Sequence, residues 1–171
     1  RLGEIYDKLP RFVAAARFQL DPSDVAEHFG GLEADLVLRN QNLSDQDRAH
    51  VRSLLERTFR TGTVDRGLAI EIRYNFNPND SARLRKDEEM ARLILEEGLF
   101  PVYLIYSGIS PRQEAISRLT RGGWNFLIGK DASQFTTDLL GIDLVEVLER
   151  PAIKADLEEN MRALMSEMFR M

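Results

Sequence analysis

The sequence GLAIEIRYNFNPND, residues 67–80, decides the fold. Apolar and polar residues alternate from Leu68 to Phe76, which predicts a strand, because successive side chains of a strand point to opposite faces. One face then carries Leu68, Ile70, Ile72, Tyr74 and Phe76. The other face carries Ala69, Glu71, Arg73 and Asn75. Glu71 and Arg73 are therefore expected to stand side by side on one face of this strand.

Strands and helices are predicted to alternate after this stretch. Residues 77–80 form a turn with good N-cap candidates, and a helix follows from Ala82 to Glu97. Further along, the patterns predict a strand over Phe100–Tyr106, a helix capped by Ser110 with Pro111 in its first turn and ending at Arg121, a strand over Trp124–Ile128, and helices over Asp131–Leu140, Leu144–Leu148 and Ala155–Arg170. Such alternation is typical of parallel strands with right-handed crossovers, in an α/β sheet covered by helices on both faces.

The segment upstream supplies further elements. The spacing of apolar residues predicts a helix over Leu2–Leu20, a short helical piece from the turn at Asp21 toward His28, one strand over Leu32–Leu38, and a helix from the cap Ser44 to about Arg60. In the strand over Leu32–Leu38, Glu33 and Asp35 share one face.

Composition limits the class of protein. With 171 residues, 43% hydrophobic and 30% charged, the chain is expected to form a single domain. It has no cysteine and two histidines, so a metal would be bound by oxygen ligands. No apolar run approaches the roughly 20 residues that span a bilayer, and we expect a cytoplasmic protein without membrane contact. Because the sequence begins at Arg1 rather than at a methionine, one interpretation is that it is a fragment of a longer chain.

The net charge of −5 is unusual for a nucleic-acid-binding domain, so the distribution of charge matters more than the sum. Residues 110–130 are locally basic, with four positive charges against Glu114 alone: Arg112, Arg118, Arg121 and Lys130. Arg118 and Arg121 fall on one helical face that faces either a phosphate backbone or plain solvent.

Glu71 on the polar face of the central strand needs a chemical explanation, because an isolated buried charge costs several kcal/mol. Two carboxylates that converge on Mg²⁺ would supply one. Asp35 is the preferred partner of Glu71, with Asp65 and Glu33 as competitors, and Glu4 on the first helix is a further source of an oxygen ligand. Arg73 would stabilise a pentacovalent phosphate or orient the attacking water, since it is too basic to act as a general base.

Asp35 followed by Glu71-Ile72-Arg73, with a helix before and a helix and strand after, resembles the core of the PD-(D/E)xK nuclease superfamily. Three runs, at residues 30–36, 71–80 and 121–124, are similar to type II restriction endonucleases of the ApaLI-like kind. The resemblance covers most of the chain. It implies a mixed sheet flanked by helices on both faces, and a homodimer that cleaves double-stranded DNA at a specific site. It also implies that Asp35 and Glu71 ligate Mg²⁺.

The chain departs from the superfamily pattern at two points. Arg73 stands where the superfamily has a lysine that positions or activates water, and Lys86 on the next helix is the candidate for a migrated lysine. Asp35 also lies far upstream of Glu71, with a whole helix between them. These departures leave an alternative open, in which the chain is a non-catalytic nuclease-like domain that binds nucleic acid or a partner protein.

Overall fold

The computed structural model describes residues 2–61, 65–76, 81–107, 112–143 and 146, without the side chains of residues 2–7 and 81. The helices of this part are α1 (Leu2–Phe18), α2 (Asp45–Phe59), α3 (Ser81–Glu96), α4 (Gln113–Arg121) and α5 (Lys130–Leu140). The strands are β1 (Glu27–Phe29), β2 (Leu32–Ala34), β3 (Leu36–Arg39), β4 (Gly67–Arg73), β5 (Phe100–Ile105) and β6 (Asn125–Ile128). No helix in these ranges is long and apolar enough to cross a membrane.

The main sheet has four strands in the order β3-β4-β5-β6. Strands β4, β5 and β6 are parallel, which confirms the alternation predicted for this part of the chain, whereas β3 pairs with β4 in the antiparallel sense. Strand β4 is central and is buried from Gly67 to Ile72. The result is an α/β sheet of mixed strand orientation.

Helices cover both faces of this sheet, because β4 sends apolar side chains to both sides. Leu68, Ile70 and Ile72 pack in a core with residues of α1, α2 and α5. On the other side, Ala69 packs in a second core with residues of α3 and α4 and with Phe29 and Ala34 of the small sheet.

The stretch Leu32–Leu38 is not one strand, and this prediction was wrong. It is divided at Asp35 into β2, which pairs with β1 in a two-stranded sheet, and β3, which belongs to the main sheet. The alternation of apolar residues persists through the break, but Ala34 belongs to one core and Leu36 to the other. Residues 34–38 are all buried, so the period-two pattern shows neither which of them are buried nor where the chain changes sheet.

Other boundaries also differ from the sequence prediction. The helical piece after Asp21 is a 3-10 helix that ends at Val25, and His28 lies in β1. Strand β4 ends at Arg73, so the period of two no longer applies beyond it. Tyr74 is exposed, and Phe76 packs against Tyr103 in the second core rather than beside Ile72.

Several predicted features fall outside the described residues. These are the turn at residues 77–80 and the helices predicted over Leu144–Leu148 and Ala155–Arg170. The helix predicted to be capped by Ser110, with Pro111 in its first turn, begins instead at Gln113 with Arg112 as its N-cap, so this prediction was wrong. Ser110 and Pro111 themselves lie outside the described residues. Within the described part, the cap of α2 is as predicted: the Ser44 hydroxyl accepts a hydrogen bond from the Asp47 amide at 3.2 Å.

Candidate active site

A buried ion pair lies at the carboxyl end of β4. Glu71 points into the second core with 2% of its side chain exposed, and its Oε1 pairs with Nη2 of Arg73. Both are on the same face because they are two residues apart in a strand. Glu71 Oε2 and Arg73 Nε are buried without a hydrogen-bond partner among the described residues. Each of the two side chains therefore has one buried polar atom that the ion pair does not use.

Asp35 lies at the same place, immediately before the neighbouring strand β3. In the antiparallel register Leu36 lies opposite Ile70, so Asp35 arrives next to Glu71 although 36 positions separate them. Its Oδ2 accepts a hydrogen bond from the Ile72 amide at 2.7 Å and lies 3.5 Å from Nη1 of Arg73. The carboxylates of Asp35 and Glu71 thus contact one guanidinium.

The electrostatics of this cluster are dominated by burial. Burial raises the pKa of Glu71 well above its ordinary value, and the negative charge of Asp35 adds to the rise, while Arg73 opposes it. Burial alone would lower the pKa of Arg73, but Glu71, with Tyr103 and Asp35 adding, raises it. Arg73 therefore stays charged, and Glu71 is the group of the pair that is most ready to take up a proton.

Glu71 and Arg73 of this cluster line a cleft of about 380 Å³, whereas Asp35 is not among the residues that line it. Its charged lining comes from β2, β4 and the first half of α3: Glu33, Glu71, Arg73, Arg83, Lys86 and Asp87. Three acidic and three basic side chains therefore face one space. Such a mixture suits a ligand that carries both anionic oxygens and a cation, because each has partners of opposite charge.

The other acidic candidates are placed differently. Asp65 precedes β4, where its carbonyl accepts a hydrogen bond from Asn40 at 3.2 Å. It lies six positions before Glu71, a span of about 20 Å for extended chain, so the two do not share a site. Glu33 lines the cleft and pairs with Arg11. Glu4 lies in α1, and its side chain is outside the described residues.

The three arginines predicted to contact DNA lie at α4. Arg118 pairs with Glu88 of α3, with its Nε 2.7 Å from Oε1, so its charge is already balanced by a neighbouring helix. Arg112 is the N-cap residue of α4 and is exposed. Arg121 is exposed in the last turn. Arg112 and Arg121 therefore differ from Arg118 in being exposed.

Sequence reasoning missed Asp87, which is 5% exposed and borders the cleft. Its Oδ2 accepts a hydrogen bond from the Tyr103 hydroxyl at 3.3 Å, and its carbonyl accepts one from the indole Nε1 of Trp124 at 2.7 Å. Burial raises its pKa, and Arg83 opposes the rise. A signal was present, because Asp87 lies four residues before Ala91, on the apolar stripe of α3.

Arg11 of α1 was also missed. Its side chain contacts residues 33, 34 and 35 at the break between β2 and β3. The sequence holds no sign of this, because the partners are 22 to 24 positions away and lie in another element.

Asp35 and Glu71 are side chains of the kind that can bind Mg²⁺. Mg²⁺ is commonly held by one or two carboxylates, with water and substrate phosphate completing the octahedron. Asp35 and Glu71 supply two carboxylates, and the orphaned Oε2 of Glu71 is an oxygen without a competing partner among the described residues. No group of three or more histidine, cysteine, aspartate and glutamate side chains suited to a metal occurs in that part of the chain. A cation here would rely on two protein ligands.

Comparison of the chain with protein-family models, with curated proteins and with solved structures gives no match.

Proposed function

We propose that this chain is a Mg²⁺-dependent type II restriction endonuclease, which hydrolyses phosphodiester bonds of duplex DNA at a specific site. The observation that carries the proposal is the convergence of Asp35 and Glu71 on the guanidinium of Arg73, at the edge of a cleft that also contains Arg83 and Lys86. A pair of carboxylates, one of which lines a cleft that also contains several cations, supplies the kinds of group that such hydrolysis requires.

Each side chain has a role in this proposal. Asp35 and Glu71 would hold Mg²⁺, which, when bound, polarises the scissile phosphate and makes water a better nucleophile. Arg73 stays protonated, so it stabilises negative charge on the phosphate rather than accepting a proton. Lys86 and Arg83 line the cleft, where they attract phosphate oxygens of the DNA backbone.

The remaining parts of the proposal follow from the substrate. A palindromic target site would be bound by a homodimer, because two-fold protein symmetry mirrors two-fold site symmetry. Arg112 and Arg121 of α4 are the exposed cations that would contact the DNA backbone beyond the cleft, whereas Arg118 is paired with Glu88. The enzyme would act in the cytoplasm, where its DNA substrate lies.

Cleavage of plasmid DNA in the presence of Mg²⁺ tests the proposal. We expect Glu71→Ala to abolish cleavage and Asp35→Asn to reduce it at least about a hundredfold, since each removes one charged ligand. Glu96→Ala is the matched control, because Glu96 is an exposed glutamate that pairs with Arg92 at the far end of α3. Undiminished cleavage by Glu71→Ala would refute the proposal.

A second candidate is favoured by the Arg73 ion pairs themselves. Arg73 already balances charge on Asp35 and Glu71, as expected of a non-catalytic nuclease-like domain that binds nucleic acid or a partner protein. This candidate predicts that wild-type protein does not cleave DNA with Mg²⁺, Mn²⁺ or any other divalent ion. DNA binding that persists without cleavage under all these ions would support it.

A further inference from the structure

Arg11 binds residues at the break between β2 and β3, where the chain passes from the small sheet to the main sheet. Its Nε donates to the carbonyl of Asp35 at 2.6 Å, and its Nη2 donates to the carbonyl of Ala34 at 3.1 Å. Its Nη1 pairs with the carboxylate of Glu33. One guanidinium thus binds three consecutive residues, the last of which is Asp35.

Arg11 also acts on the Asp35 side chain. Its Nη2 lies 3.9 Å from Oδ1 of Asp35, while Oδ2 faces the Ile72 amide at 2.7 Å and Arg73 at 3.5 Å. The two oxygens of one carboxylate therefore face two different arginines. Arg11 also binds the backbone carbonyl of Asp35. The contacts of its backbone and of its carboxylate therefore hold both the position and the orientation of the Asp35 side chain.

The two arginines differ in how they hold the acidic residues. Arg73 contacts Asp35 and Glu71 at their side-chain oxygens, the atoms that a cation would need. Arg11 makes its two hydrogen bonds to residues 34 and 35 at their backbone carbonyls. Arg11 can therefore keep Asp35 in place after Arg73 has turned toward a phosphate.

We infer that Arg11 is the positioning residue for Asp35, an inference that rests on the proposed function. Among its described contacts Arg11 does not touch Glu71, and it is not one of the residues that line the cleft. It acts through Asp35 by fixing the bend between β2 and β3. Mutating a residue that hydrogen-bonds to a metal ligand and orients it typically lowers metal affinity about ten- to a hundredfold.

The test compares three variants with the wild-type chain. Arg11→Met removes the guanidinium, Arg11→Lys keeps the charge but loses the planar fork, and Arg17→Met is the matched control. Arg17 also lies on α1 but pairs with Asp47, at 3.1 Å. Two quantities are measured: the dissociation constant of Mn²⁺ by electron paramagnetic resonance, and the position of the Ile72 amide in the ¹H–¹⁵N spectrum. The Ile72 amide reports the Asp35 carboxylate directly, because it donates to Oδ2.

We expect Arg11→Met to weaken Mn²⁺ binding at least about tenfold and to move the Ile72 amide signal. Arg11→Lys should move both quantities in the same direction by a smaller amount, and it stands in for Arg11→Met if that variant does not fold. Arg17→Met should leave both unchanged. Folded Arg11 variants with a wild-type Ile72 signal and wild-type Mn²⁺ affinity would overturn the inference. If wild-type protein does not bind Mn²⁺, the proposed function fails, and the Ile72 signal alone decides the role of Arg11.

Discussion

Replacing Arg73 by methionine leaves Asp35 and Glu71 near each other without their shared positive charge. Glu71 has 2% of its side chain exposed and Arg73 has 24%, so water replaces little of the lost interaction. Removing one partner of a buried ion pair costs about 3 to 5 kcal/mol of unfolding free energy. Because part of Arg73 is in contact with solvent, we expect the loss for Arg73→Met to lie at the lower end, about 3 kcal/mol.

Urea unfolding at neutral pH, followed by far-ultraviolet circular dichroism, measures this loss. The double variant Glu71→Gln with Arg73→Met should recover most of it, because the buried carboxylate is then neutral. Arg92→Met serves as a control, since Arg92 forms ion pairs on the exposed surface of α3, and its unfolding free energy should match the wild type. A loss below about 1 kcal/mol for Arg73→Met, typical of an exposed pair, would show that the buried-pair reasoning is wrong.

Two further predictions concern the same strand. Burial, with Asp35, raises the pKa of folded Glu71 well above its ordinary 4.5, so folding favours its protonated form. This contribution to stability is complete below pH 4.5 and is lost as pH rises through the raised pKa. Between pH 4.5 and the raised pKa, the unfolding free energy of Glu71→Gln should therefore fall less steeply with pH than that of the wild type. Urea unfolding at several pH values measures both dependences, and equal slopes for the two proteins would contradict the prediction. At Gly67, φ is +133° and an added Cβ would lie 2.1 Å from the Leu38 carbonyl oxygen. Gly67→Ala should cost about 3 kcal/mol in thermal or urea unfolding. The control Gly31→Ala, with nothing within 4 Å of its added Cβ, should cost about 1 kcal/mol, and equal losses would argue against the clash.

The order of the main elements could be predicted because local patterns determine it. The Ser44 cap, the apolar stretch of β5 and the alternation in β4 each depend on residues close together in the chain. The preference for Asp35 as the partner of Glu71 rests on a strand over Leu32–Leu38 that the structure divides at Asp35. The antiparallel register of β3 with β4 nevertheless places the two residues next to each other. The structure brings them to one guanidinium, whereas Asp65 precedes β4, six positions before Glu71.

Features that depend on tertiary contact could not be predicted. The break at Asp35 leaves the apolar alternation intact, so the sequence contains no local sign that the chain changes sheet there. Arg11 finds its partners in another element. Asp87 is the exception, because a carboxylate on the apolar stripe of a helix is unusual enough to indicate a buried polar site from the sequence alone.

The hydrogen bond from Trp124 to the Asp87 carbonyl has a practical consequence. Trp124 is the single tryptophan of the chain, and its indole is 1% exposed, with its ring centroid 5.2 Å from that of Tyr103. Indole emission responds to hydrogen bonding and to nearby charge. Asp87, whose carbonyl accepts this hydrogen bond, also lines the cleft. Emission from Trp124 therefore offers an unlabelled fluorescence signal with which to test whether a cation or a phosphate enters the cleft.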